Sequence, residues 1–268
     1  MIHPPSLKTA NDKDLKKIKG ICFDIDDTFS SEGKIRPEAF CALWKLKEAG
    51  FILVPVTGRP AGWCDHIARF WPVDAVIGEN GAFIFYMNKG VRSRLDVLSS
   101  NEIELAQGKL LGLRDKILNE FPHAVFASDQ AYREYDLAID FCEDVPPWKE
   151  EEIYRLVKVC EEVGAHAKVS SIHVNAWFGN YDKQSAMKFW LDQDLPGCVQ
   201  KIHSLDEWIY VGDSPNDEPA FGFFKQSVGV ANLERFLPRL KTMPTWMTEK
   251  PSGEGFAELA ERLLQSRS

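Results

Sequence analysis

The sequence predicts an α/β protein: a Rossmann-like, doubly wound parallel sheet that is interrupted by an α+β module. In both terminal parts of the chain, short apolar runs alternate with segments of helical spacing, which is typical of strand–helix–strand units. The middle part instead carries several strand patterns around two helical patterns, which is typical of α+β structure. The length of 268 residues allows about two domains. We therefore expect a core domain from residues 1–90 and 180–268, with an inserted domain of residues 91–179.

The first part of the chain predicts three strands and two helices. Its apolar runs lie at 20–27, 51–56 and 74–77, and its helical patterns lie at 37–49 and 61–71. Pro37 suits the first turn of a helix, and Gly50 suits the position after its end. Because strand–helix–strand connections are right-handed crossovers, these strands are expected to lie parallel in one sheet. The segment before Gly20 mixes lysines with aspartates, and we interpret it as a solvated lead-in to the first strand.

The remaining elements are predicted from the same two periodicities. A hairpin is expected around Asn88-Lys89-Gly90, because turn residues there separate two strand patterns. The middle module continues with a helix at 102–121, strands at 123–127 and 136–141, a helix at 147–163, and strands at 167–170 and 172–178. The last part predicts a helix at 183–191, a strand at 207–211, a helix at 215–224, a strand at 227–230 and a helix at 255–264.

Composition excludes several classes of function. The chain has 32 Lys and Arg against 40 Asp and Glu, which disfavours a nucleic-acid-binding protein, since such proteins neutralise phosphates with basic residues. No apolar run has the length of a membrane span, and the first residues lack the apolar centre of a signal peptide. The cysteines form no Cys-x-x-Cys pair, which disfavours zinc and redox sites; they lie at 22, 41, 64, 142, 160 and 198. Unpaired cysteines are typical of a reducing compartment, so we expect a cytoplasmic protein.

Two predicted strands end in acidic residues. Asp24 and Asp26 follow the first apolar run, and Asp213 and Asp217 follow Tyr210-Val211-Gly212. In open parallel sheets, ligands bind beyond the carboxyl ends of the strands. Carboxylates that lie close together repel one another unless a cation relieves them, and a hard ion such as Mg²⁺ prefers oxygen ligands. The segments together therefore predict a magnesium site, although each alone is also compatible with an ordinary polar turn.

Two further segments suit a phosphate group. In Val56-Thr57-Gly58-Arg59-Pro60, a hydroxyl and open backbone N–H groups follow a strand, which suits a phosphoryl oxygen. Lys183 opens a predicted helix, where its ammonium would offset the charge of a phosphate and of a carboxylate. Taken singly, the first segment is compatible with a plain strand-to-helix turn, and Lys183 with a solvated surface charge.

In their order and spacing, these four motifs resemble those of the haloacid dehalogenase-like superfamily of phosphohydrolases. The resemblance is greatest to its IIB branch, in which a large α+β cap lies between the second and third motifs. The 126 residues between Thr57 and Lys183 leave room for that cap. The resemblance extends from Gly20 to Leu264 and includes the turns 78–82 and 252–256. It implies that residues 91–179 are the cap domain.

The resemblance also implies roles for single residues. Asp24 would be the nucleophile that forms an aspartyl-phosphate, and Asp26 the general acid and then the base. Mg²⁺ would be held by Asp24, the Asp26 backbone carbonyl and Asp213, with Asp217 bound directly or through water. Thr57 and Lys183 would hold the transferring phosphoryl group. The full set expected to contact phosphate or substrate is Thr57, Gly58, Arg59, Asn80, Lys183 and Asn216.

The chain departs from the pattern of that family at two places. Asp27 stands where the family usually has glycine, and Asp182-Lys183-Gln184 replaces the commoner Asn-Lys-Gly. Neither departure removes a group that the chemistry requires. In the cap, the polar candidates for substrate contact are Arg133, Lys168, His173 and Asn175, although ordinary surface polarity is the simpler interpretation. The candidates for stacking on a sugar are Trp148 and Trp177, although aromatic packing is the simpler interpretation.

We therefore expect a Mg²⁺-dependent phosphatase that acts on a small phosphorylated metabolite, with a sugar or polyol phosphate as the expected substrate. Two alternatives remain open at this point. A phosphosugar mutase, similar to phosphomannomutases of the same branch, would return the phosphate from Asp24 to its product. A non-catalytic sugar-phosphate sensor would bind the ligand without turnover. The sequence leaves the oligomeric state open.

Overall fold

A five-stranded parallel sheet forms the centre of the protein, as the sequence predicts. The computed structural model describes residues 3–193 and 204–267, so Cys198 lies outside the described residues. The strand order is β12-β11-β10-β1-β2. These strands are β1 (Gly20–Phe23), β2 (Ile52–Pro55), β10 (Trp208–Gly212), β11 (Gln226–Gly229) and β12 (Trp246–Met247). Because β10, β1 and β2 are neighbours, the loops that follow these three strands meet at one edge of the sheet.

Helices cover both faces of this sheet, which confirms the doubly wound arrangement. Along β1, Ile21 and Phe23 point into one apolar cluster and Cys22 into the other, as strand periodicity requires. The first cluster receives apolar side chains from α1 (Asp12–Leu15), α2 (Pro37–Glu48) and α8 (Ser252–Arg267). The second receives them from α6 (Lys183–Asp192) and α7 (Glu218–Phe223). None of the helices in the described ranges is long and apolar enough to cross a membrane.

The predicted strand at 74–77 belongs mainly to a second, antiparallel sheet. That sheet consists of β3 (Ala75–Gly78), β4 (Phe83–Asn88) and β5 (Val91–Asp96), and helix α3 (Ala61–Phe70) packs against it. It is joined to the central sheet by a parallel bridge between Val56 and Ile77. The hairpin predicted around Asn88-Lys89-Gly90 is confirmed. Lys89 and Gly90 have positive φ angles of 49° and 81°, as tight hairpin turns require.

The middle module forms a separate antiparallel sheet with two helices. Its strand order is β6-β7-β9-β8, from β6 (Val125–Phe126), β7 (Asp136–Asp140), β8 (His166–Val169) and β9 (His173–Trp177). Helices α4 (Ser100–Glu120) and α5 (Glu150–Glu162) pack on this sheet around an apolar cluster of their own. This α+β unit has its own core and lies within residues 91–179. We call it the cap module from here on.

The N-terminal segment is packed, so its interpretation as a solvated lead-in is wrong. Leu7, Leu15 and Ile18 are at most 1% exposed and belong to the cluster beneath α2 and α8. Ser6 also forms a parallel bridge with Met247 at the edge of the central sheet. The prediction was wrong because the segment is rich in lysine and aspartate. Its three buried apolar residues are too few and too widely spaced to form a periodic pattern.

Glu79 joins the core to the cap module at a buried position. Its carboxylate accepts hydrogen bonds from the backbone N–H groups of Ala61 at 3.0 Å, Glu134 at 3.0 Å and Tyr135 at 2.6 Å. Ala61 is the first residue of α3, whose opening N–H groups have no partner within the helix. Glu79 therefore caps that helix and also holds the cap segment that leads into β7.

We expect Glu79→Ala to lower the free energy of unfolding by about 2–3 kcal/mol, because it leaves these buried N–H donors without an acceptor. Urea unfolding followed by circular dichroism measures this loss. Glu48→Ala, at an exposed position near the end of α2, is the control and is expected to change stability by less than about 0.5 kcal/mol. Equal losses in the two variants would contradict the capping role of Glu79.

Candidate active site

Three predicted site residues lie at the carboxyl ends of adjacent strands. Asp24 follows β1, Thr57 follows β2 and Asp213 follows β10, and the backbone N–H of Asp24 donates to the carbonyl oxygen of Val211 at 2.9 Å. The three residues are at most 5% exposed. Sheet order therefore brings together residues that are up to 189 positions apart in the sequence. This is the edge at which open α/β sheets bind ligands.

Lys183 connects two carboxylates at this edge. Its ammonium donates to Asp24 Oδ1 at 2.6 Å and to Asp217 Oδ1 at 2.8 Å, and its side chain is 3% exposed. Lys183 is the first residue of α6, and Asp182 caps this helix by accepting from the Ser185 N–H at 2.7 Å. The departure at Asp182-Lys183-Gln184 therefore preserves a capped helix start, and Lys183 is a buried cation rather than a solvated charge.

Asp217 organises the loop that follows β10. One of its oxygens accepts from the Tyr210 hydroxyl at 2.6 Å, in addition to Lys183, and the other accepts from the backbone N–H groups of Asp213 at 3.0 Å and Ser214 at 3.2 Å. This close approach requires glycine at position 212, since a Cβ there would lie 2.5 Å from Asp217 Oδ2. Both carboxylate oxygens are thus already occupied by protein donors.

The buried carboxylates of Asp24, Asp213 and Asp217 form a group that is able to hold a cation. Ligand oxygens from the three lie within 4.8 Å of one another. Burial raises the pKa of Asp24 to about 8, with Lys183 opposing this shift and Asp217 adding to it. Burial also raises the pKa of Asp213 well above its ordinary value, and repulsion by Asp217 adds to the shift. When ionised, the three carboxylates outnumber the one ammonium and offer hard oxygen donors, which fits a divalent ion such as Mg²⁺.

Asp213 is held in this group by neutral donors. Its Oδ1 accepts from the Thr28 hydroxyl at 3.2 Å, and its Oδ2 accepts from the Asn232 side chain at 3.1 Å. Asn232 also donates to the backbone carbonyl of Asp27 at 3.0 Å and so connects the first and fourth motifs. The Asp213 carboxylate keeps unused acceptor capacity on both oxygens, because a carboxylate oxygen can accept more than one bond.

The side chain of Asp26 lies apart from this group and faces Arg59. The Arg59 guanidinium donates to Asp26 from Nε at 3.1 Å and from a terminal nitrogen at 2.9 Å. The same terminal nitrogen donates to Glu143 of the cap module at 2.7 Å, and Glu143 also pairs with His173 at 2.9 Å. Burial opposes ionisation of Glu143, but the hydrogen bonds with His173 and Arg59 lower its pKa to about 2. A chain of charged groups thus connects the cap module to Asp26.

The loop after β2 positions the other predicted phosphate contacts. The Thr57 hydroxyl accepts from the backbone N–H of Arg59 at 3.0 Å, and the Thr57 carbonyl accepts from that of Asn80 at 3.0 Å. A Cβ at Gly58 would lie 3.2 Å from the Asn80 side chain, so glycine permits their close packing. Asn216 lies in the loop after β10, where its side-chain oxygen accepts from the Ser214 hydroxyl at 2.6 Å. The structure therefore places these residues on the loops around Asp24.

The cap module supplies part of a small cavity above Asp24. This cavity is lined by Asp24, Asp26, Gly58 and Arg59 from the core, by Arg133, Ser170, Ser171, Ile172, His173 and Asn175 from the cap, and by Ser214 and Asn216. Arg133 also donates to the carbonyl oxygen of Gly58 at 2.8 Å and so ties the cap to the loop after β2. Three of the four polar cap candidates thus face the predicted site.

The other cap candidates lie elsewhere. Lys168 is exposed on β8 and does not line the cavity. Trp148 stacks on Phe121 with ring centroids 5.9 Å apart, and Trp177 is 1% exposed and stacks on Tyr181. Both tryptophans are packing residues of the cap or its junction, so stacking of either on a sugar is not supported by their placement.

Sequence reasoning missed several residues that shape the site. Tyr210 lies in the fourth motif and Glu79 in the turn 78–82, and their polar groups next to apolar runs were a usable signal. Thr28 lies next to the first motif, but its contact with Asp213 spans 185 positions. Glu143 and Asn232 lie in segments without any motif, and only the fold brings them to Arg59 and Asp213.

The chain is similar in sequence to known proteins. Residues 21–110 match the sequence model of a family described as haloacid dehalogenase-like hydrolases. The chain is 28% identical to a phosphoglycolate phosphatase of Staphylothermus marinus over 262 residues, which cover 92% of this chain and 98% of that relative.

Solved structures share the fold. A Thermoplasma acidophilum protein superposes with a TM-score of 0.68 at 17% identity, and the match covers 92% of this chain and 98% of the other. The sucrose-phosphatase of Synechocystis sp., crystallised with sucrose and phosphate, gives a TM-score of 0.66 at 15% identity with the same coverage of each chain. In its matched residues, its relative and its fold, the chain is similar to the haloacid dehalogenase-like hydrolases.

Proposed function

We propose that this protein is a Mg²⁺-dependent phosphatase that hydrolyses a phosphate monoester through an aspartyl-phosphate on Asp24. The observation that carries the proposal is the buried contact of Lys183 with Asp24 and Asp217 at the carboxyl edge of the sheet. A buried carboxylate beside a fixed ammonium offers a nucleophile and a cation to the same phosphoryl group. The relatives named as phosphatases support this reaction type.

The reaction divides into two steps on named residues. In the first, an Asp24 oxygen attacks phosphorus and the bond from phosphorus to the ester oxygen breaks. For this step Asp26 must be protonated and turn from Arg59, which it faces in this structure, to give its proton to the leaving oxygen. In the second, Asp26 takes a proton from water while that water attacks phosphorus, which releases phosphate and regenerates Asp24. Thr57 and Lys183 hold the phosphoryl oxygens through both steps, since positioning and charge neutralisation account for most of the catalysis of phosphoryl transfer.

The metal would be held by Asp24, Asp213 and the Asp26 backbone carbonyl. Asp217 would contact the ion directly or through water, and its oxygens already accept from Lys183, Tyr210 and two backbone N–H groups. When bound, Mg²⁺ would supply positive charge to the phosphoryl oxygens. The excess of buried carboxylates over cations in this group supports the assignment.

We propose a small sugar or polyol phosphate as the substrate and residues 91–179 as the cap that covers it. The cap side of the cavity presents hydroxyl, imidazole and amide groups from Ser170, Ser171, His173 and Asn175, which suit hydroxyl groups of a leaving alcohol. We also propose a cytoplasmic location. The described cysteines (Cys22, Cys41, Cys64, Cys142 and Cys160) are free, as is usual in a reducing compartment.

A screen for released phosphate tests the activity directly. The purified chain is incubated with a panel of sugar, polyol and nucleotide phosphates, with Mg²⁺ and with EDTA. We expect metal-dependent release of phosphate from one or more sugar or polyol esters. An isomeric sugar phosphate formed in place of free phosphate, with a bisphosphate activator present, would identify a mutase instead. Tight binding without turnover of any ester would contradict an enzyme altogether.

Metal binding has a readout that does not depend on activity. Adding saturating Mg²⁺ to chelator-treated protein is expected to raise the melting temperature by about 5 °C, because the ion relieves repulsion among the buried carboxylates and binds the folded state alone. Differential scanning fluorimetry measures the shift. Asp213→Asn is expected to remove most of it, while Asp115→Asn, on an exposed part of α4, retains it. A shift that survives in Asp213→Asn would rule out this site.

A further inference from the structure

Asp27 lies where the reaction centre opens into a larger cleft between core and cap. Asp26 and Arg59 line both the small cavity above Asp24 and this cleft, so the two spaces adjoin one another. On the cap side the cleft is lined by Glu143, Ser171 and neighbouring residues. A leaving group released from phosphorus beside Asp26 would therefore extend past Asp27.

The backbone of Asp27 retains the conformation that a glycine would favour. Its φ angle is +57°, in the left-handed region, which asparagine, aspartate and glycine tolerate best. Its side chain is 30% exposed and lies 3.8 Å from the guanidinium of Arg235. The Asp27 carboxylate, which a glycine at this position would lack, is thus not turned into the protein but lies at the opening of the site.

The cleft around Asp27 carries surplus negative charge. Its described lining has six carboxylates, from Asp26, Asp27, Glu32, Glu38, Glu143 and Glu254, against three guanidinium groups, from Arg36, Arg59 and Arg235. Each guanidinium already faces an acid. Arg59 pairs with Asp26 and Glu143, Arg235 lies near Asp27 and Asp213, and Arg36 lies 4.0 Å from Glu32. Each cation of the described lining therefore already lies close to an acid. An anionic leaving group would have to compete with these acids for it.

We propose that Asp27 is a specificity-determining residue. It makes the cleft favour phosphate esters whose leaving group is uncharged and carries hydroxyl groups, and disfavour esters whose leaving group carries a second negative charge. This inference rests on the proposed phosphatase function. Asp27 acts in two ways: it repels a carboxylate or second phosphate, and it occupies Arg235, which would otherwise attract one. Its carboxylate is at the same time an acceptor for leaving-group hydroxyls.

A matched pair of ligands isolates the charge of the leaving group. Glycerol 3-phosphate and 3-phosphoglycerate are of similar size, but the second carries a carboxylate where the first carries a hydroxymethyl group. Inhibition constants of both are measured against hydrolysis of p-nitrophenyl phosphate with Mg²⁺, and kcat/KM is measured for each ester that is itself hydrolysed. We expect wild type to prefer glycerol 3-phosphate, and to prefer it less strongly at high salt, since salt screens charges at this partly exposed position.

Two variants separate charge from conformation. Asp27→Asn and Asp27→Gly both tolerate the left-handed backbone, and both remove the carboxylate. Each is expected to shift the ratio of the two inhibition constants toward 3-phosphoglycerate by about tenfold, as for two like charges about 4 Å apart that water screens strongly. Asp115→Asn, an equal loss of charge far from the cleft on α4, is expected to leave the ratio at the wild-type value.

The outcomes distinguish this inference from the proposed function. If both Asp27 variants hydrolyse p-nitrophenyl phosphate with a ratio within twofold of wild type, Asp27 does not set the selectivity, and the phosphatase function still stands. If Asp115→Asn shifts the ratio equally, net charge rather than Asp27 is responsible, and the inference is also overturned. If wild type hydrolyses no phosphate ester under any condition, the proposed function itself fails.

Discussion

Replacing Asp24 with asparagine is expected to lower kcat by about 10⁴-fold or more, because the amide is a poor nucleophile and forms no acyl phosphate. The Asp24→Asn variant would keep the shape of the side chain, and its amide would still face Lys183, which contacts Asp24 at 2.6 Å in the wild type. Phosphate release is measured on the best ester of the screen, and intact-protein mass spectrometry after acid quench detects the phosphorylated wild-type chain.

The same experiment needs a control for folding. Asp115→Asn makes an identical chemical change on exposed α4 and is expected to retain wild-type kcat. Melting temperatures of the two variants show whether each is folded. If a folded Asp24→Asn protein retains more than about a tenth of wild-type activity, the covalent mechanism on Asp24 is wrong.

Replacing Lys183 with methionine is expected to destabilise the metal-free protein by about 3–5 kcal/mol. The ammonium faces Asp24 and Asp217 in a site where its side chain is 3% exposed, so its removal leaves buried carboxylates without a cation. Burial raises the pKa of Asp24 to about 8, and Lys183 opposes this shift. Without the ammonium, Asp24 must take up a proton more readily. The deficit in stability is therefore expected to be larger at pH 8 than at pH 5.

Urea unfolding at both pH values, in EDTA, measures this effect. Lys188→Met is the matched control, because Lys188 is exposed on the same helix α6, and it is expected to change stability by less than about 0.5 kcal/mol. A loss below about 1 kcal/mol in Lys183→Met, or an equal loss at the two pH values, would show that Lys183 does not compensate the buried charge. Activity with Mg²⁺ is expected to fall as well, since Lys183 also holds the phosphoryl group.

The periodicity of the sequence was sufficient to predict the main helices and strands, but not which strands pair with each other. Long amphipathic helices and short apolar strands are locally determined, so α2, α4, α5 and the hairpin β4–β5 occur close to their predicted positions. The strand at 74–77 is predicted for the parallel sheet, but it pairs mainly with β4, because a two-residue alternation does not specify the partner strand. The packed N-terminal segment was missed because its apolar residues are few and widely spaced.

By itself, the sequence determined the fold class and the four motifs, because apolar periodicity and the ends of strands are local properties of the chain. The resemblance to the family also implied that Asp27 is an unusual residue at its position. Only the tertiary structure decided what surrounds each motif: that Lys183 is buried between Asp24 and Asp217, that Arg59 connects Asp26 to Glu143 of the cap, and that Asp27 stands at the mouth of the cleft. These contacts join residues that are as far as 159 positions apart, and such distant contacts depend on packing of the whole chain rather than on local pattern.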